Sequence, residues 1–293
     1  MSPPHPEWSL RGRANFKSQD AAPVDARAAR KEWLALAEGI EALGGTVAVL
    51  PADASLTGLP YAAEAGHPLA PLSAGGKPRF ILPRMKVEHR KGERELWKPF
   101  VEQLGFETID LPCGTWEGQG DVGSLGYRTF LFHGGRSDRE GAEAARVHFG
   151  DDVSFIGIEP PAFHGNMAVL PIPYARVALV CPDTIDENSI AVLEAKIGRD
   201  RIHFVSEEEM RYYATNALPI GNTLLAASSI PERTLHVLEH LGMTVKLLDM
   251  RELCDKAGGA SRCLVCHVAH PPEGLVIPPE WTLTPSRDAI RAE

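Results

Sequence analysis

The run Asp255 to His270, D-K-A-G-G-A-S-R-C-L-V-C-H-V-A-H, holds the residue best suited to nucleophilic chemistry, Cys263. The glycine pair before it lets the backbone approach a ligand closely or take a positive φ. The pattern predicts Cys263 at the start of a strand, presented from a tight turn with Arg262 beside it. A neighbouring cation lowers a thiol's pKa and supplies thiolate at neutral pH. The same residues admit other readings. Cys263-Leu-Val-Cys266-His267 is the sequence of c-type haem attachment, which requires export. Cys254, Cys263, Cys266, His267 and His270 hold half of a structural zinc site, without a second pair at matching spacing. Both cysteines could also be inert core residues.

Other candidates lie earlier in the chain. Glu117 and Asp121 bracket G-Q-G, whose glycines leave room for carboxylates facing a small ligand; the alternative is a turn with Asp bonded to backbone. His164 sits in F-H-G-N, beside Gly165, and could equally be a hydrogen-bonded core residue. Asn166 and Asn216 fit turns as well as ligand contacts, and Arg84 fits a surface ion pair. Taken together the set makes chemical sense. A thiolate attacks a planar, electron-poor carbon, and a histidine hands a proton to the departing nitrogen and then activates water. Paired carboxylates select a planar, multi-donor cation such as guanidinium.

These residues must be positioned by a repeating element. The segments E-A-L-G-G-T-V-A-V-L at 41–50, E-Q-L-G-F-E-T-I-D-L at 102–111 and E-H-L-G-M-T-V-K-L-L at 239–248 share one pattern, with fainter copies at 144–156 and 192–205. Each reads as the end of an amphipathic helix, a glycine at the left-handed C′ position, then a strand. The joints fall at Gly44, Gly105, Gly150, Gly198 and Gly242 and imply a repeat architecture across nearly the whole chain. Between them lie apolar strands such as R-F-I-L-P-R at 79–84 and R-T-F-L-F-H at 128–133, each the second of a hairpin pair. In a closed ring of such units the ends of the first strands converge on the axis, bringing Glu117, Asp121, His164, Asn216 and Cys263 around one pocket.

Composition sets the outer bounds. The chain has 293 residues, 44% hydrophobic and 24% charged, and no apolar run long enough to read as a membrane span. A net charge of −9 argues against a nucleic-acid or anionic-membrane partner. No basic segment followed by an apolar one opens the sequence, and five cysteines is an odd number. Both features lead to an expectation of reduced thiols in a cytoplasm. The stretch from Pro51 to Pro78 reads as a long loop of the kind that forms lids.

The order E-G-x-G-D, then His, then G-G-x-x-R-C-L resembles the pentein, or guanidino-group-modifying, superfamily, which includes arginine deiminases, dimethylarginine dimethylaminohydrolases, arginine dihydrolases and amidinotransferases. Pro3, Pro4 and Asn15, L-P-R at 82–84 and R-S-D-R at 136–139 extend the resemblance over nearly the whole chain. It implies a five-bladed α/β propeller of pseudo-fivefold ββαβ modules in one catalytic domain, residues 1–293. It also implies a small-molecule guanidino substrate, no metal or organic cofactor, and a possible homo-oligomer. In that resemblance Cys263 is the nucleophile of a covalent amidino-thioether, His164 the general acid/base, and Glu117 the carboxylate that orients the histidine or the guanidinium. Asp121 is the second member of that motif, and Arg84, Asn15 and Asn216 contact the substrate's amino-acid end. Two departures concern the substrate. Asn166 stands where many members carry Asp, and Glu64, in Y-A-A-E-A-G, stands where related hydrolases carry Asn or Asp. The implied activity is hydrolysis of a linear amidine; transfer of the amidino group to an amine and a non-catalytic guanidino-binding propeller are the alternatives.

Overall fold

The computed structural model describes residues 1–293 apart from Ala14. Helix α1 (Ala26–Ala42) leads the chain. Asp25 caps it by accepting a hydrogen bond from Ala28 N, and its buried stripe includes Ala29, Trp33, Leu36 and Ile40. The chain leaves α1 through Gly44 at φ 84°, a conformation that costs glycine little.

Four modules of identical plan follow. The first is β1 (His67–Leu69), β2 (Arg79–Ile81), α2 (Glu93–Gln103) and β3 (Glu107–Ile109). The second is β4 (Val122–Leu125), β5 (Arg128–His133), α3 (Arg139–Arg146) and β6 (Val153–Gly157). The third opens after a short turn of helix, α4 (Gly165–Ala168), with β7 (Val169–Ile172), β8 (Val177–Val180), α5 (Glu187–Ile197) and β9 (Ile202–Phe204). A second short helix, α6 (Glu207–Arg211), starts with a Ser206/Glu209 capping box and precedes the fourth, β10 (Leu218–Ile220), β11 (Thr223–Ala227), α7 (Glu232–His240) and β12 (Thr244–Leu248). In every module the first strand pairs antiparallel with the second and the third adds parallel to the second. The helix therefore serves as the crossover that a parallel pair requires.

The helix–glycine–strand joints hold at Gly105 (φ 96°), Gly198 (φ 99°) and Gly242 (φ 74°). Gly150 departs from the expectation: it is not in the left-handed region, and α3 ends four residues earlier, at Arg146. Residues 46–50 after Gly44 form no assigned strand, although Val49 N donates to Trp281 O at 2.8 Å. The fold is thus a mixed α/β arrangement of four small three-stranded sheets. Its last segments are a π-helical turn, Arg251–Lys256, and a C-terminal helix, α8 (Leu283–Arg291). The largest hydrophobic cluster runs from α1 through β5, β7, β8 and β11. Among the described residues no helix is long and apolar enough to cross a membrane.

The stretch 51–78 is not an open loop. Leu59 and Ala62–Ala65 are buried, the latter in a single 3-10 turn, and its longest exposed run is residues 70–77.

Candidate active site

Glu117 and Asp121 bound a 3-10 turn, Gly118–Asp121, immediately before β4. Gly118 has φ 59°, and a Cβ there would fall within 2.8 Å of the Gly66 backbone. Only glycine satisfies both constraints. The turn lies against the Ala62–Ala65 turn, and a Cβ on Gly120 would meet the His164 ring at 3.2 Å and Glu64 Cγ at 3.3 Å. The G-Q-G motif thus makes room for two side chains rather than for a ligand directly.

His164 precedes α4 and is 1% exposed. Its Nε2 lies 2.7 Å from Glu117 Oε2; a carboxylate only accepts, so Nε2 donates. Glu117 Oε1 accepts from Lys86 N at 2.9 Å, and Glu117 N donates to Ser137 Oγ at 2.9 Å. Burial alone would raise the Glu117 pKa, but the His164 hydrogen bond and charge, with Arg136 and Arg90, bring it down to about 2. For His164, burial favours the neutral ring. The carboxylates of Asp121, Glu64 and Glu117 outweigh it and raise its pKa, which favours the protonated ring.

Asp121 does not reach the pocket. Its Oδ2 accepts from Ser137 Oγ at 2.6 Å and its Oδ1 from Gly165 N at 2.8 Å. It holds the start of α4, and hence His164, in place. Burial pushes its pKa up to about 6.

Cys263 sits in a turn, not at the head of a strand, and residues 265–269 form no assigned element. Its N donates to Ala260 O at 3.0 Å, and its O accepts from Ala63 N at 2.9 Å, which ties the nucleophile's turn to that of Glu64. The glycine pair is required here: Gly258 has φ 94°, and a Cβ on Gly259 would lie 2.3 Å from the Tyr61 ring. Cys263 is 2% exposed, and its sulfur lies 3.8 Å from Asn166 Oδ1. The expected acidic thiol is not what the resting site holds. Burial, with the Glu64 charge, pushes the Cys263 pKa up to about 12 against the smaller opposing effects of Asn216, Arg262 and Asn166. Arg262 does little because its guanidinium is turned to Gln119 Oε1 (3.0 Å) and Val265 O (2.8 Å).

Glu64 joins the two halves. Its Oε2 accepts from Arg90 Nη1 at 2.8 Å, while Glu93 grips the other side of the same guanidinium through two 2.7 Å bonds. Among the described residues its Oε1 has no hydrogen-bond partner; it lies 3.7 Å from His164 Nδ1, which also has none. Two buried, unpartnered polar atoms of opposite charge tendency thus face the cavity whose wall also carries Cys263. Burying them unpaired costs free energy unless a polar ligand completes them.

The remaining sequence candidates divide. Asn15 lines the same cavity, donating to Ala257 O at 3.0 Å. Asn166 and Asn216 lie beneath the sulfur, Asn216 Nδ2 donating to both oxygens of Asn166 at 3.0 Å; Asn216 is fully buried and contacts no open part of the pocket. Arg84 points away, donating to Gly114 O at 2.8 Å and Leu111 O at 3.2 Å. It is a strut for the 111–114 loop rather than a ligand for a substrate tail.

Sequence reasoning passed over Arg90 and Glu93, which read as part of the charged run R-K-G-E-R-E. It also gave no role to Arg136, which lines the cavity, lies 4.0 Å from Glu117 through Nη1 and packs 5.0 Å from the Phe163 ring centroid. A buried i,i+3 pair at a helix start was the available signal for Arg90 and Glu93. Among the described residues, no group of three or more His, Cys, Asp or Glu side chains is arranged to hold a metal ion.

No protein-family model matches the chain. It is 27% identical over 196 residues to a bifunctional arginine dihydrolase/ornithine cyclodeaminase, ArgZ, of Synechocystis; the match covers 65% of this chain and only 27% of that protein. It is 25% identical over 257 residues to the N(G),N(G)-dimethylarginine dimethylaminohydrolase of Mycobacterium tuberculosis, covering 85% and 78%. The N-terminal domain of ArgZ, covalently bound to a reaction intermediate, superposes with a TM-score of 0.83 at 22% identity over 92% of this chain and 97% of that one. The chain is a relative of the guanidino-modifying pentein enzymes. A dimethylarginine dimethylaminohydrolase structure also matches, with a TM-score of 0.67 at 20% identity over 90% and 96%. The mixed α/β fold of small sheets is therefore shared with both kinds of enzyme.

Proposed function

We propose that this pentein relative is a cysteine hydrolase that cleaves a C–N bond of a guanidino compound related to arginine. The observation that carries the reading is the triangle of Glu64 Oε1, His164 Nδ1 and Cys263 on one cavity wall, with the first two buried and unpartnered. A guanidinium N–H would satisfy Glu64 Oε1 and bring the planar carbon over the sulfur. The incoming cation would also favour thiolate, which burial and Glu64 disfavour. The thiolate then adds to the carbon. His164, protonated and held by Glu117, gives its proton to the departing nitrogen, and the resulting neutral ring activates the water that hydrolyses the amidino-thioether. Arg136 and Arg11, both lining the outer cavity with Asn15, suit an acidic group at the far end of the substrate.

The same reading makes residues 1–293 one catalytic domain and the fold a five-bladed propeller. The fifth blade would draw its helix and outer segment from α1 and residues 46–50, and its inner segments from the turn around Cys263. Contacts that support it are Val49 with Trp281 and Ala63 with Cys263.

The test is a product assay for ammonia, urea, citrulline and ornithine with arginine, methylated arginines, agmatine and short guanidino acids. Citrulline without urea is the outcome of deimination or dimethylaminohydrolysis, and ornithine with ammonia that of a dihydrolase. Amidino transfer to an added amine would replace water as the acceptor in this reading. Full activity in Cys263→Ala would overturn the mechanism altogether.

A further inference from the structure

The first strands of all four sheets, together with residues 262–270, surround a second cavity of about 490 Å³. It is distinct from the reaction cavity and reaches to within one side chain of it. Asn166 lines it and also lies 3.8 Å from Cys263 Sγ. Its composition is unusual for a chain with 39 acidic and 30 basic residues. Arg262, Gln119 and Asn166 line it, with His67, His267 and His270; no Asp or Glu among the described residues borders the cavity. Among the described residues no carboxylate pairs with Arg262, and only two of its N–H groups have protein acceptors, Val265 O and Gln119 Oε1. A guanidinium carries five N–H donors, so a half-buried Arg262 with two acceptors and no counter-charge has donors left for an anion. His67 Nδ1 is likewise buried and unpartnered. Burial, with Arg262 and His267 nearby, pushes the His67 pKa down to about 3, so this imidazole stays neutral and adds no competing charge. The strand walls are largely apolar, with Leu69, Val122, Val169 and Leu218 among them.

We propose that this axial cavity is a binding site for a small organic carboxylate, its carboxylate seated on Arg262 and its aliphatic body against the strand walls. A planar carboxylate matches the guanidinium fork, and the apolar walls favour a carbon chain over a bare inorganic anion. The site touches the nucleophile through Arg262 and Asn166, both of which favour the Cys263 thiolate.

Titration calorimetry of the 293-residue chain with acetate, butyrate, hexanoate and inorganic phosphate tests the proposal without relying on turnover. The expected result is one saturable site whose affinity rises with chain length and falls about tenfold or more in Arg262→Gln, the loss of a charge-assisted pair. Ser124→Glu, on an exposed cavity position of β4, supplies an internal carboxylate and should weaken binding comparably, which keeps the test open if Arg262→Gln does not fold. Absence of saturable binding, or phosphate binding as tightly as hexanoate, would overturn the proposal. So would binding that survives both variants but is lost in Arg136→Ala, because that places the carboxylate in the reaction cavity.

Discussion

Ionisation of Cys263 should depend on the ligand. With its pKa pushed up to about 12 by burial and Glu64, the free protein at pH 8 would hold roughly one thiolate in 10⁴ at this position. A guanidinium about 4 Å from the sulfur, at an effective dielectric constant of about 20, favours thiolate by about 4 kcal/mol. That brings the thiol down to about 9 and raises the thiolate fraction at pH 8 by about three orders of magnitude. The readout is the ultraviolet thiolate absorbance across a pH titration, taken as the difference between the wild type and Cys263→Ala to remove the other four cysteines. It is run with and without an unreactive alkylguanidine. Glu64→Gln separates the two contributions because its effects have opposite signs. The free thiol becomes more acidic as a repelling carboxylate is lost, while the alkylguanidine binds more weakly. A free thiol that titrates at or below the ordinary cysteine value, or one that the ligand leaves unmoved, would refute the reasoning.

Three further outcomes are expected. In Glu117→Gln the imidazolium loses a partner that raises its pKa, so the proton leaves His164 at lower pH. The alkaline limb of kcat/KM then moves acidward by about one pH unit, for a charge-assisted bond worth about 1.5 kcal/mol. The same linkage holds for stability: the contribution of charged His164 is fully present below the ordinary histidine pKa and is lost as pH rises through its raised value. Glu93→Ala leaves Arg90 buried with Glu64 as its remaining carboxylate partner and should lower unfolding stability by about 3 kcal/mol, the low end for a broken buried pair, as measured by urea denaturation. Arg84→Ala removes two bonds to backbone carbonyls and should cost about 1–3 kcal/mol of stability with KM unchanged, whereas a raised KM would return Arg84 to substrate binding.

What the sequence disclosed follows from which residues have few substitutes. Positive φ at Gly105, Gly198 and Gly242 admits little else, so three helix–strand joints were legible, while Gly150 occupies open space in an ordinary conformation and only resembled them. The ββαβ plan followed from those joints and the apolar strand runs. Glu117, His164 and Cys263 stood out as candidates because acid–base and nucleophilic chemistry restricts residue type, and the structure places Glu117 against His164, with His164 and Cys263 on one cavity.

Charge states and directions were not legible, because they are set by partners distant in sequence. Arg262 was expected to activate its neighbour, yet its direction is fixed by Gln119, 143 positions away. Asp121 has the right type for a guanidinium ligand, yet Ser137 Oγ and Gly165 N occupy its oxygens. Glu64 was noticed as a departure, but its role depends on Arg90, 26 positions on, which leaves one oxygen bound and the other free. That half-satisfied carboxylate, 3.7 Å from a half-satisfied histidine, is what turns a buried cysteine into a candidate nucleophile. A cation with several N–H donors would complete Glu64 Oε1, and the same cation would supply the charge that the thiol lacks.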